Sequence, residues 1–220
     1  METLSEIFPE LIKGLPITLL VLAGSAVFSY LIAFIAGLSR LSRNVVIRTF
    51  TSFYVEIFRG TSLIVQLFWL YFALPVLFDI DLGSELWVGI LTIALNYGAY
   101  MSEVVRGSIL SVAKGQTEAG IALNMTRFQR MRLIILPQAV RMMLPEFGNY
   151  LIQMLKATSL VSLIGLMDVL YFGELYSSTH IQQAPLVYLL TLIFYFILAL
   201  PLIWFVRKME AFSKKGVASE

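Results

Sequence analysis

Five long apolar stretches, divided by short polar connections, set the pattern of this 220-residue chain. Residues 15–38 hold no charge and predict a first membrane span, because about 20 apolar residues cross a hydrocarbon core as a helix. A basic run follows at Arg40, Arg43 and Arg48. A second span is predicted over 49–78, uncharged from 60 onward, and leads to the acidic residues Asp79, Asp81 and Glu85. The third covers 86–110. A fourth, at 147–167, is interrupted only by Lys156, and a fifth covers 181–206. Between the third and fourth lies a stretch of another kind, 111–137. It is too polar to span, yet it carries Ile, Leu, Met and Phe at helix-like intervals.

Charge placement orients the spans. Lys and Arg collect in the cytoplasmic loops of membrane proteins. With the N-terminus outside, twelve of the 16 basic residues face the cytoplasm, counting Arg141 at the mouth of span four. These include Lys114, Arg127, Arg130 and Arg132 in the polar stretch and Arg207, Lys208, Lys214 and Lys215 after span five. Only Lys13 lies outside, while Arg59, Arg106 and Lys156 lie within spans. The expectation is an all-α integral membrane protein of five transmembrane helices, N-out and C-in, forming a single domain over 1–220.

Composition agrees. Charged residues make up 14% of the chain, against about 25% in soluble domains. A net charge of +2 offers nothing to a nucleic acid, and the absence of cysteine excludes disulfides, thiolate metal sites and thiol nucleophiles. Met1 to Glu10 is acidic and lacks a basic leader, so no cleavable signal peptide is expected. We find no internal repeat. Five spans cannot form two equal inverted halves, so a transport path is expected between two such chains. Neither a phosphate-cradling GxxxxGK[ST] nor HExxH, GxSxG or a paired intramembrane Asp motif is present. Neither ATP hydrolysis nor intramembrane hydrolysis is therefore expected of this chain.

The polar stretch carries the most specific signal. Glu118, Ala119 and Gly120, then Asn124, then Ile134, Ile135, Leu136 and Pro137 resemble the cytoplasmic signature of ATP-binding-cassette importer permeases. The segments YVEIFRGTSLIVQLFWLYF (54–72), NYGAYMSEVVRGSI (96–109) and GNYLIQMLKATSLVSLIGL (148–166) resemble the polar amino-acid branch. Within that branch the wording of 58–72 looks most like ectoine and hydroxyectoine permeases. The resemblance implies a type I (MetI-like) importer permease fold in the cytoplasmic membrane, with 111–137 docking on an ATPase. It also implies the partners: an ATPase homodimer holding ATP and Mg, a second permease (sister chain or second copy) and an extracytoplasmic binding protein. A channel or scaffold working without ATP is the alternative of another class.

Physical reasoning adds detail. Ala119 and Gly120 are small enough for a partner to approach the helix backbone. Ile121, Met125 and Phe128 fall on one apolar helical stripe, Arg127, Arg130 and Arg132 suit acidic groups or anionic headgroups, and Pro137 is expected to end the helix. Gly120 stands where the signature has a second Ala. Asn124 replaces the signature Gly and, since Asn tolerates the left-handed region, is predicted to have positive φ.

Within the spans, Glu56 with Arg59 and Glu103 with Arg106 have i, i+3 spacing. They read either as ion pairs that fix packing or as a network near an inner gate, which Lys156 would join. Asn149, Tyr150 and Gln153 make span four unusually polar. They read either as interhelical hydrogen bonding or, with Tyr97 and Tyr100, as a substrate path. Aromatic faces suit the delocalised cation of a zwitterion such as ectoine, and the lack of carboxylates there argues against Arg or Lys as cargo. A polar amino acid is the alternative cargo. His180 reads as a surface residue of an outer connection.

Overall fold

The computed structural model describes residues 2–214; Lys215, counted above among the cytoplasmic basic residues, lies outside them. Described residues form α1 (Glu2–Lys13), α2 (Leu15–Ser39), α3 (Val45–Gly60), α4 (Leu63–Phe68), α5 (Leu74–Phe78), α6 (Glu85–Ser111), α7 (Lys114–Ala122), α8 (Arg127–Arg130), α9 (Leu136–Ala157), α10 (Val169–Thr179) and α11 (Ala184–Lys214). Glu6–Ser39, Glu85–Ser111 and Ile181–Ser213 are each long and apolar enough to cross a membrane. Two bent pairs raise the number to five if each counts as one span.

Small residues hold α2 against α6, the most extensive helix pair. A Cβ on Gly37 would stand 2.7 Å from Val105 Cβ and 2.8 Å from Ser102 O, and one on Gly98 would stand 2.7 Å from Ile32. Lipid is as apolar as a leucine side chain, so close backbone approach and dispersion take the place of the hydrophobic effect in joining such helices. Ser25 and Ser29 donate across the seam to the Ile90 and Ala94 carbonyls. Helix α1 was not predicted. Its buried Ile7 and Leu11 pack on Val169, Val187 and Phe194 of α10 and α11.

Span two is not straight. After Gly60 the chain leaves the helix at Thr61 and Ser62, both extended, and Val45–Gly60 meets Leu63–Phe78 at 109°. Span four also differs from a plain helix. The hydroxyls of Thr158, Ser159 and Ser162 each donate to the carbonyl three residues back. Hydroxyls that compete for helix carbonyls favour tighter, irregular turns, and here α9 passes into a 3₁₀ segment, Thr158–Ile164, that stops at Gly165 with φ 88°.

Pro137 does not end a helix. It occupies the first turn of α9, and the helix continues through it from α8 by way of a π-helical turn, Met131–Ile135, closed by Leu136 N–H donating to Met131 O. Widening the turn to i→i+5 relieves the clash and the missing donor that proline brings to a regular helix. The same device precedes Pro75, where Leu74 N–H donates to Trp69 O.

Gly37→Val should overpack the α2–α6 seam by about 1–3 kcal/mol and lower the thermal midpoint of the purified protein. Gly107→Ala, where nothing lies within 4 Å of the added carbon, should not lower it and should raise it slightly, since Ala is favoured over Gly inside a helix by about 0.5–1 kcal/mol.

Candidate functional site

The break in span two creates a site. Carbonyls at the end of α3 lose their helical partners there, and an unpaired amide group in hydrocarbon costs several kcal/mol. Two buried side chains answer this. Gln66 Nε2 donates to Phe58 O at 2.9 Å, Thr61 O at 3.3 Å and Thr61 Oγ1 at 2.6 Å. Asn96 Nδ2, from α6, donates to Phe58 O and to Gln66 Oε1, both at 3.0 Å. Gln66 and Asn96 were not singled out in the sequence; a glutamine inside an otherwise apolar run was the available signal.

Beside this patch lies a cavity of about 380 Å³, within the usual range for small-molecule sites. Thr61, Ser62 and Leu63 line it from the break, Asn96, Tyr97 and Tyr100 from α6, and Tyr150 and Gln153 from α9. The structure thus brings Tyr97, Tyr100, Tyr150 and Gln153 together, with the Tyr150 ring 6.2 Å from that of Tyr97 and 6.3 Å from that of Tyr100. Tyr97 OH donates to Gln153 O and Tyr100 OH to Arg59 O. The lining holds no charged group. Asn149 is not part of it.

Glu103 organises the charges. Its carboxylate pairs with Arg40 just past α2, with Arg59 of α3 at 3.1 Å and with Arg106 of its own helix at 2.9 Å. Arg59 also lies over the Tyr100 ring, 5.5 Å from its centroid, so the cluster adjoins the cavity wall. Three guanidiniums share one carboxylate, which leaves positive charge in excess. The sequence reading missed Arg40, which sits just past the end of α2. Two expected members stand apart: Glu56 and Lys156 are both exposed and make no ion pair among the described residues. The i, i+3 spacing held in α6, where Arg106 pairs with Glu103, and failed in α3, where Arg59 pairs with Glu103 of α6 and not with Glu56.

Residues 111–137 hold two short helices and a turn. Asn124 has φ 55°, as its residue type predicted. It ends α7 in a Schellman motif, with Met125 N–H donating to Gly120 O at 3.0 Å and Asn124 N–H to Ile121 O at 2.9 Å. Thr126 and Gln129 then start α8 with a reciprocal capping box, a pattern the sequence carried and our reading passed over. The turn separates Ile121 from Phe128, so these and Met125 do not form one helical stripe. Ile121 and Phe128 are exposed, as are Glu118, Ala119 and Arg127. Gly120 is buried under Arg130, whose Cδ would lie 2.7 Å from an added Cβ; its smallness serves this loop's own packing and leaves no opening for a partner. Arg130 Nη1 donates to Met125 O and clamps the turn.

Gln66→Leu should strand the Thr61 carbonyl and leave Phe58 O to Asn96 alone. The expected loss is about 1–3 kcal/mol for a buried unsatisfied group, read as a lower thermal midpoint in detergent. Gln66→Glu, which keeps the acceptor and loses the donor, should show a comparable loss.

The family described as binding-protein-dependent transport system inner membrane component matches residues 29–214. The probable amino-acid ABC transporter permease protein y4tF of Sinorhizobium fredii is 43% identical over 203 residues, covering 90% of this chain and 85% of that one. The glutamine transport system permease protein GlnP of Escherichia coli K12 is 34% identical, with 92% of each chain covered. The crystal structure of an amino acid ABC transporter with histidines superposes with TM-score 0.87 at 31% identity, over 95% of this chain and 96% of that chain. The inward-facing MetNI methionine ABC transporter, 21% identical over 93% of this chain and 98% of that chain, has the same fold at TM-score 0.72. These likenesses make the architecture that of a type I, MetI-like importer permease. The chain belongs to the binding-protein-dependent transport system inner membrane components, as a membrane-embedded permease subunit of an ABC importer.

Proposed function

We propose that this permease carries a neutral polar amino acid, of which glutamine is the best candidate, through a path that includes the cavity at the break in span two. The carrying observation is the lining itself: hydroxyls, amides and tyrosine rings, with no carboxylate to hold a cationic side chain. The names of the relatives, amino-acid and glutamine permeases, support the same class. They lend no support to the ectoine expectation. Ectoine stands as a second reading on one observation, the three tyrosine rings gathered on one wall, whose faces suit a delocalised cation.

The remaining assignments extend this reading. Excess Lys and Arg in alternate connections favours N-out, C-in, which puts 111–137 in the cytoplasm. There the exposed Ile121 and Phe128, with Glu118, Ala119, Asn124 and Arg127, meet an ATPase homodimer that holds the ATP and Mg. A second permease, sister chain or second copy, completes the path, and an extracytoplasmic binding protein delivers the cargo. Glu103 and its arginines form the inner gate: their links tie α2, α3 and α6 together beside the cavity and must rearrange when those helices rock.

Cargo is tested by uptake of labelled glutamine into vesicles holding the full transporter. Excess unlabelled glutamine should compete and arginine should not. Competition by ectoine alone would replace the amino-acid reading, and uptake persisting without the ATPase would support a channel. Coupling is tested as solute imported per ATP hydrolysed. Asn124→Val, strained by about 1–2 kcal/mol at positive φ, should lower that ratio, while Asn124→Gly should preserve it. Glu103→Gln should lower it as well; a loss only of assembled complex would reduce the cluster to packing.

A further inference from the structure

Glu56 and Lys156 stand outside the Glu103 cluster, and both are exposed with no ion pair among the described residues. Their depth makes that costly. Ser29 Oγ donates to Ala94 O and lies 3.4 Å from Met154 Sδ, so α2, α6 and α9 are level with one another at these residues. At about 1.5 Å per residue, Ser29 stands about 21 Å from Leu15 and about 15 Å from Ser39, the two ends of α2. Ala94 falls midway along the uncharged run 86–102 of α6. Lys156 is two residues, about 3 Å, past Met154. Glu56 lies between Tyr54, whose hydroxyl donates to Leu95 O, and Phe58, whose carbonyl accepts from Asn96. Both charges thus sit near the middle of the apolar layer, too deep for either side chain to reach a headgroup. Ionised groups at that depth face water or pair with one another.

Placement supplies the second argument. Arg59, one turn past Glu56, lies over the Tyr100 ring of the cavity wall, and Gln153, one turn before Lys156, lines the same cavity. Both free charges therefore belong to the side of the chain that holds the cavity. Glu56 is flanked there by the exposed Phe53 and Ile57, an apolar surface of α3 that this chain leaves uncovered. Glu103, the only other carboxylate within the expected spans, is already held by three arginines. One charge of each sign, at one depth and on one side, makes a self-complementary surface. A two-fold axis along the membrane normal preserves depth, so it sets Lys156 of a second copy opposite Glu56 of the first, and the reverse.

We propose that the second permease is another copy of this chain, and that Glu56 of each copy pairs with Lys156 of the other across the seam between them. The proposal rests on the reading that a second permease completes the path, commits that reading to an identical partner, and is independent of the cargo. Two such pairs neutralise all four free charges and set the two cavities beside one another along the seam.

The chain has no cysteine, so single thiols can be placed without background. Two copies with different tags are co-expressed with the ATPase, one carrying Glu56→Cys and the other Lys156→Cys. One native Glu56–Lys156 pair survives in that assembly. A short, cleavable bifunctional thiol reagent should join the copies into a species that carries both tags and separates on cleavage. In otherwise native chains, Glu56→Lys alone or Lys156→Glu alone should lower recovery of the two-tag assembly by on the order of tenfold. The two exchanges together should restore it. Copies that co-purify without cross-linking overturn the pairing and give both charges to a water-filled path. Tags that never co-purify overturn the identical partner and assign the seam to a sister chain.

Discussion

Inside hydrocarbon, a carbonyl without a partner has no water to turn to. The break after Gly60 is possible only because Gln66 and Asn96 receive the end of α3. Magnitudes separate this amide pair from the neighbouring charges. A stranded backbone group costs several kcal/mol in such surroundings, whereas ion pairs open to solvent contribute about 0–1 kcal/mol. Arg59, the charge contributed by α3, and Arg106 are each more than a third exposed, while the mostly buried Arg40–Glu103 pair joins α2 to α6 and not the ends of the break. The amides therefore hold the bend, and the packing of α2 and α3 on α6 brings the charges together. The bend also carries Thr61 and Ser62 into the cavity wall, so backbone repair and the lining of the site are one structure.

The α2–α6 seam works differently. It has few polar contacts and depends on the backbones being close, with Gly37 and Gly98 at the crossing and Ala33, Ala36, Ala94 and Ala99 buried nearby. Close-packed interiors transmit displacement, so this pair forms a stiff frame. By contrast α3 presents Val46 and Phe50, each 76% exposed, and α5 presents Val76, 84% exposed. The lone permease thus has a rigid centre and an apolar perimeter left for lipid or for another subunit.

Much of this was legible in the sequence, and particular residues show where reading stopped. Uncharged runs located the apolar segments because desolvating a charge in hydrocarbon is costly at every position along a span. Asn124 was legible because its backbone requirement is local. The bend in span two was not, since Gly60, Thr61 and Ser62 are compatible with helix until Asn96, far along the chain, offers its amide. Glu103 drew attention as a charge in a span, but its strongest partners come from three helices, and Arg40 looked like one of several loop arginines. Pro137 was misread because the wide turn that admits it leaves no mark in residue type. Glu56 was grouped with the cluster by its spacing to Arg59 and Lys156 as a charge within a span, and geometry separates both from it.

Close contacts tie a residue ten positions on to Gly120. The signature prefers alanine there, yet Arg130 folds across the bare backbone so closely that the two positions now constrain each other. An alanine at 120 needs residue 130 to be shortened or redirected, and either change gives up the clamp on Met125 O. The bare backbone at 120 and the long side chain at 130 thus form one unit, in which neither can be exchanged without cost to the other.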